Sequence, residues 1–203
     1  MRIKTVALLV VSTLFALPAL AQNDNSEVSA SFTGNFPQQV TGLGLTDSPT
    51  NAWGFLINYR YHFNGSSAIE TSYAHTRFTQ FYTPASSTTY SSAITSNLDE
   101  ATLAYVYTFR KPAGRRYKPF LEAGTGALIF RPTGQTFTVG ELTQDRSTLL
   151  YGGGVDWKVS ERLSLRLGYR GFVYKAPDFA LAIQVTNELT HMAEPYVGVV
   201  YRF

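Results

Sequence analysis

Glu194-Pro-Tyr-Val-Gly-Val-Val-Tyr-Arg-Phe203 is the stretch on which the reading of this chain turns. Taken two at a time, Val197, Val199, Tyr201 and Phe203 share one side of an extended strand, while Glu194, Tyr196, Gly198, Val200 and Arg202 share the other. Chain ends ordinarily fray and carry polar residues. Here the terminal residues continue a strand, and an aromatic sits on its apolar face.

The same period of two, rather than the 3.6 of a helix, recurs upstream. Val28, Ala30, Phe32, Gly34 and Phe36 alternate with Ser29, Ser31, Thr33 and Asn35. Trp53, Phe55, Ile57, Tyr59, Tyr61 and Phe63 alternate with Gly54, Leu56, Asn58, Arg60 and His62, and Asn64-Gly65 follows as a hairpin signal. A third strand near Ala68–Phe78 sets Ile69, Thr71 and Tyr73 against Glu70, Ser72 and Ala74. A fourth sets Ala101, Leu103, Tyr105, Tyr107 and Phe109 against Glu100, Thr102, Ala104, Val106 and Thr108. The fifth runs over Tyr117–Phe130, the sixth over Leu149–Val159 and the seventh over Leu163–Val173, so the closing stretch makes eight. Long connections are expected at Pro37–Thr50, Phe81–Asn97, Arg131–Arg146 and Lys175–Thr190. Short ones are expected at Asn64-Gly65, Lys111–Arg116 and Ser160–Arg162.

Composition narrows the function classes. In 203 residues, charged side chains make up 15% and aromatics 14%, a poor supply for a water-facing exterior. The absence of cysteine excludes disulfides, thiolate metal sites and cysteine nucleophiles. Residues 1–21 read as a cleaved secretory signal peptide, with Arg2 and Lys4 ahead of an apolar run that ends Ala19-Leu20-Ala21. The run is too short to span a bilayer and contains Pro18. Its removal lowers the formal charge from +3 to +1, so no nucleic-acid partner is implied, and residues 22–203 form the working domain.

Alternation does not by itself say which face points inward, because a soluble eight-stranded barrel also alternates. The polar face is largely Gly, Ser, Thr and Ala, suited to the crowded inside of a narrow barrel. The apolar face carries aromatics near strand ends, Trp53, Tyr61, Phe63, Tyr107, Phe109 and Trp157, as membrane-interface girdles do. The expected fold is therefore all-β: a closed antiparallel eight-stranded transmembrane β-barrel with up-and-down topology. An arginine at mid-depth on the lipid side would cost about 2–4 kcal/mol. Arg60, Arg166, Arg170 and Arg202 are accordingly placed in the lumen with Glu70, Glu100, Glu122, Asp156 and Glu194, with His62 nearby.

The remaining motifs argue against chemistry. Gly124-Thr-Gly126 and Gly152-Gly-Gly154 lack the following helix that a phosphate loop needs. His62, His75 and His191 have no metal-ligand spacing, so no metal or other cofactor is expected.

Ser164–Asp178 and Pro195–Phe203 resemble the small outer-membrane β-barrel family that includes OmpA-type barrel domains, OmpX and opacity-type porins. The resemblance implies an integral protein of the Gram-negative outer membrane. Val199, Tyr201 and Phe203 would form the signal read by the barrel-assembly machinery, with periplasmic chaperones and outer-membrane lipids as further partners and a monomer as the working state. It also implies a structural or surface-interaction role through long extracellular loops, a charged network filling the lumen, and no enzyme activity. The alternative is a narrow pore for ions or small solutes. A lipid-modifying enzyme fits least, since lipid A deacylases pair a lipid-facing histidine with a nearby serine, and here Met192 and Ala193 follow His191.

Overall fold

The computed structural model describes residues 25–87, 89, 92–109, 116–133, 143–179 and 185–203. Its strands are β1 (Ser26–Pro37), β2 (Val40–Gly42), β3 (Leu45–Pro49), β4 (Ala52–His62), β5 (Ser67–Pro84), β6 (Ser92–Thr108), β7 (Tyr117–Pro132), β8 (Gln144–Lys158), β9 (Leu163–Lys175) and β10 (Leu189–Arg202). Strands β1 and β4 to β10 pair antiparallel with their neighbours in turn, and β1 closes on β10, giving an eight-stranded barrel. Closure gives every barrel strand a partner on both sides, which is what a sheet needs in lipid. The leader, 1–21, and residues 111–115 of the expected basic turn lie outside the described residues.

Both chain ends meet at one rim. The Phe203 amide donates to the Ser26 carbonyl at 3.1 Å, and Val28 stands opposite Tyr201. The tight turns lie at this same rim. Asn64 accepts the Ser66 and Ser67 amides on its side-chain oxygen, each at 2.9 Å, while the Val159 amide donates to the Leu163 carbonyl. We call this the turn end and the opposite rim the loop end.

Two of the expected loops contain strands. Within Pro37–Thr50, β2 and β3 form a small hairpin, and β3 pairs with β5 from Leu45 opposite Pro84 to Pro49 opposite Gln80. Within Phe81–Asn97, β5 and β6 continue as a ladder, with Phe81 opposite Ala93. The residues there are rich in Ser, Thr and Tyr and uncharged. Beyond the bilayer an outward face need not be apolar, so the polarity that suggested a loop is compatible with strand. The long β5 then overhangs β4, and β3 covers the edge so exposed.

The faces sort as the alternation requires. Phe32, Trp53, Phe63, Tyr107, Phe109, Leu121, Trp157, Leu167, Val197, Val199 and Tyr201 are exposed on the outer wall. Aromatics at the turn end stack edge to face: Tyr61 on Phe63, Tyr107 on Phe109, and Tyr201 on Phe203. Trp53 lies toward the loop end, stacked on Phe32 at 5.5 Å. The interior divides in two. Toward the turn end it is charged; toward the loop end Phe78, Tyr82, Ile94, Leu98, Leu128, Phe130, Leu150, Phe172, Tyr174, Phe179 and Met192 form one buried apolar cluster with Leu45 of the hairpin.

Candidate functional site

The charged half of the lumen is assembled by strand register. Arg60 stands opposite Glu70 across β4 and β5, Asp156 opposite Arg166 across β8 and β9, and Arg170 opposite Glu194 across β9 and β10. Closure then joins these pairs across the barrel. Arg166 donates Nε to Asp156 Oδ1 at 2.6 Å and Nη2 to Oδ2 at 2.9 Å, the planar two-point grip that only arginine offers. The same guanidinium reaches Glu27 at 2.6 Å and Glu70 at 3.3 Å. Arg60 donates Nε to Glu70 at 2.7 Å, and Asn58 donates to the other Glu70 oxygen at 3.1 Å. Phe120 lies against both guanidinium planes, 4.4 Å from Arg60 and 5.0 Å from Arg166.

Glu27, absent from the sequence-derived set, is central. It accepts from Arg166 and, at 2.7 Å, from Arg202, with Arg60 at 3.5 Å and His62 at 3.2 Å. The signal was one residue beyond the alternation read from Val28: Glu27 has the parity of Ser29 and Ser31 and so faces inward.

A second group lies nearer the middle. Arg170 donates one nitrogen to Glu194 at 2.7 Å and to Glu100 at 3.0 Å, with its guanidinium 5.1 Å from the Phe172 ring. Glu122 is also buried, yet neither of its oxygens has a protein hydrogen-bond partner among the described residues. It sits so close to Gly152 that a Cβ there would stand 2.8 Å from its Oε1. Likewise Gly168 leaves room for the Tyr196 ring, which a Cβ would meet at 2.4 Å. Thus the nine sequence-derived lumen residues all lie inside, but in two sets rather than one, and Glu122 pairs with neither.

Beyond the barrel strands, the β2–β3 hairpin buries Asp47. Gln80 donates to its Oδ2 at 3.2 Å, and burial nevertheless pushes its carboxyl up to about 7.

The outer wall carries a cluster that the sequence reading did not single out. Asp99 faces outward yet is buried under its partners: the Tyr73 hydroxyl donates to Oδ1 at 2.6 Å, His75 Nδ1 lies 2.8 Å from the same oxygen, and Arg131 reaches Oδ2 at 2.8 Å. The Phe55 ring packs on His75 at 5.7 Å. The available signal was parity, since a carboxylate next to the inward Glu100 must face out and needs partners there. No serine or threonine hydroxyl bonds to His75 among the described residues, and His191 bonds to the Tyr151 hydroxyl at 2.8 Å. No group of three or more metal-ligating side chains is present among the described residues.

Comparison with known proteins agrees with this geometry. A search of curated protein sequences finds no match. Among solved structures, OprG from Pseudomonas aeruginosa superposes with a TM-score of 0.65 at 14% identity, covering 88% of this chain and 96% of that one. Neisserial surface protein A gives 0.56 at 18% identity, covering 88% and 97%. Ail, the attachment invasion locus protein of Yersinia pestis, solved in complex with the heparin analogue sucrose octasulfate, gives 0.51 at 19% identity, covering 88% and 99%. These likenesses concern the fold. Residues 7–203 match the family described as outer membrane protein beta-barrel domain, and the chain belongs to that family as an integral protein of the outer membrane.

Proposed function

We propose that this barrel works as a plugged scaffold whose active surface is its loop end, presented outside the cell, and that it is neither a pore nor an enzyme. Outer-membrane barrels turn short connections to the periplasm and long ones outward, which puts the β2–β3 hairpin and the ends of β5 and β6 in the medium. The apolar cluster across the loop-end half of the lumen carries the reading. Phe130 touches Phe78 at 6.1 Å, Tyr174 at 5.9 Å and Phe179 at 6.4 Å between ring centroids, so aromatics from four parts of the chain meet at one point. Side chains of eight strands suffice to fill such a barrel. The Tyr82 hydroxyl adds a bond to the Pro177 carbonyl at 3.0 Å, tying the end of β5 to the segment after β9. Two of the solved structures of similar fold carry names that speak of a surface protein and of attachment, which accords with a surface role.

The purified, refolded mature protein in a planar bilayer is expected to stay electrically silent once folding is verified by heat-modifiable gel mobility. Replacing Glu122 with Gln should leave it silent, since the charged half would not be the barrier. Discrete conductance steps in the unmodified protein, altered by Glu122→Gln, would establish the pore instead.

A further inference from the structure

We propose that Arg77 and Arg131, with Asn97 between them, form an outward-facing site for the phosphate of an anionic lipid in the outer leaflet. The three residues lie side by side: Arg77 stands opposite Asn97 on β6, and Asn97 opposite Arg131 on β7. At a strand spacing of about 4.8 Å the two arginine backbones are about 10 Å apart, within reach of one phosphate for two extended side chains. Arg77 is exposed and Arg131 is half exposed.

Their height supports the assignment. Read from the turn end, Phe109 just beyond β6 and then the outward Tyr107, Tyr105, Leu103 and Ala101 of the strand precede Asp99, Asn97 and Thr95. On β5 they run Ile69, Thr71 and Tyr73 before His75 and Arg77, and on β7 Leu121, Ala123, Thr125, Ala127 and Ile129 before Arg131. From Phe109 to Asp99 a tilted strand climbs about 25 Å, the height of the apolar band of such barrels. The arginine row therefore stands just above the hydrocarbon, where headgroup phosphates lie.

Asp99 explains how the row is held. Its carboxylate fixes Arg131 at 2.8 Å while Tyr73 and His75 bond its other oxygen, so the guanidinium is oriented before any ligand arrives. Arg77 and Arg131 against Asp99 leave a net positive charge, complementary to a phosphate, and the guanidinium fork matches phosphate oxygens in a way that lysine does not.

The test is native mass spectrometry of the folded protein in detergent, titrated with phosphatidic acid or phosphatidylcholine. Phosphatidic acid should be retained preferentially. The double variant Arg77→Gln/Arg131→Gln should bind it about thirtyfold more weakly and Arg77→Gln alone about fivefold, from the usual attraction of each arginine to an anionic surface. Arg162→Gln, at the turn end, should match the parent. Because Arg77 forms no ion pair among the described residues, the single variant tests the site even if the loss of Arg131 disturbs the wall. Equal binding by parent and Arg77→Gln would overturn the proposal. So would an equal loss in Arg162→Gln, which would mean unspecific attraction, or displacement of the lipid by excess inorganic phosphate, which would mean a free-phosphate site.

Discussion

The two halves of the lumen solve the same problem by opposite means. Toward the turn end, Arg60, Arg166 and Arg202 are set among Glu27, Glu70 and Asp156. Toward the loop end, Phe78, Leu98, Leu128, Phe130 and Phe172 pack together in one apolar cluster. Charged groups hold geometry through direction: each guanidinium fits carboxylates only in one orientation, and a lost partner leaves a buried charge. The apolar half holds mainly by volume, with a few hydrogen bonds at its border such as Tyr82 to the Pro177 carbonyl, and its cost of disruption is a cavity. The barrel is thus specified chiefly by hydrogen bonding at one end and chiefly by shape at the other.

The largest expected effect lies where the two regimes meet. Arg170→Ala strands Glu100 and Glu194 without a cation, and should destabilise the barrel by about 3–5 kcal/mol. The measurement is the urea midpoint of the protein folded into vesicles, followed by gel mobility. Arg170→Lys should recover little, because an ammonium cannot reproduce the same fork. A midpoint unchanged in the alanine variant would show that Arg170 does not hold that pair.

Leu128→Ala, in the apolar half, should cost about 3 kcal/mol, whereas Leu128→Met should cost under about 1.5 kcal/mol because volume is kept. The contrast between the halves would collapse if Leu128→Met proved as damaging as the alanine change.

The smallest effect sharpens the comparison at the loop end, where the buried Asp47 carboxyl and the Arg146–Asp178 ion pair border the apolar packing. Asp47 is raised from an ordinary 3.8 to about 7 in the docked hairpin, so the docked form holds its proton more tightly than the undocked one. Its contribution is complete below about 3.8 and is lost as pH rises through about 7, so the hairpin should loosen over that window. A fluorophore at Ser48 should report the loosening, and Asp47→Asn should abolish its pH dependence. A response that persists in Asp47→Asn would assign the titration elsewhere.

Much of the fold was legible because a strand's side-chain period is local. The alternation of Val197, Val199 and Tyr201 against Gly198 and Val200, repeated seven times upstream, gave the strands and their faces, and the cost of a charge in lipid turned Arg60, Arg166 and Arg170 inward. The inward Leu98 and Phe130 were less visible, since a large apolar residue is welcome on either face. The overhang of β5 and β6 was hidden by its polarity, which outside a membrane says nothing against a strand.

What the sequence by itself determined is therefore which side of the wall most residues of the eight barrel strands occupy. Which inward charge meets which was decided only by the tertiary structure. Arg166 bonds Glu27 across 139 positions and Glu70 across 96, contacts made when β1, β5 and β9 come around a common axis. Register and closure fix those distances through backbone hydrogen bonds that are the same for every sequence. The alternation says that a side chain points inward, and only the stagger of the closed sheet says at what height.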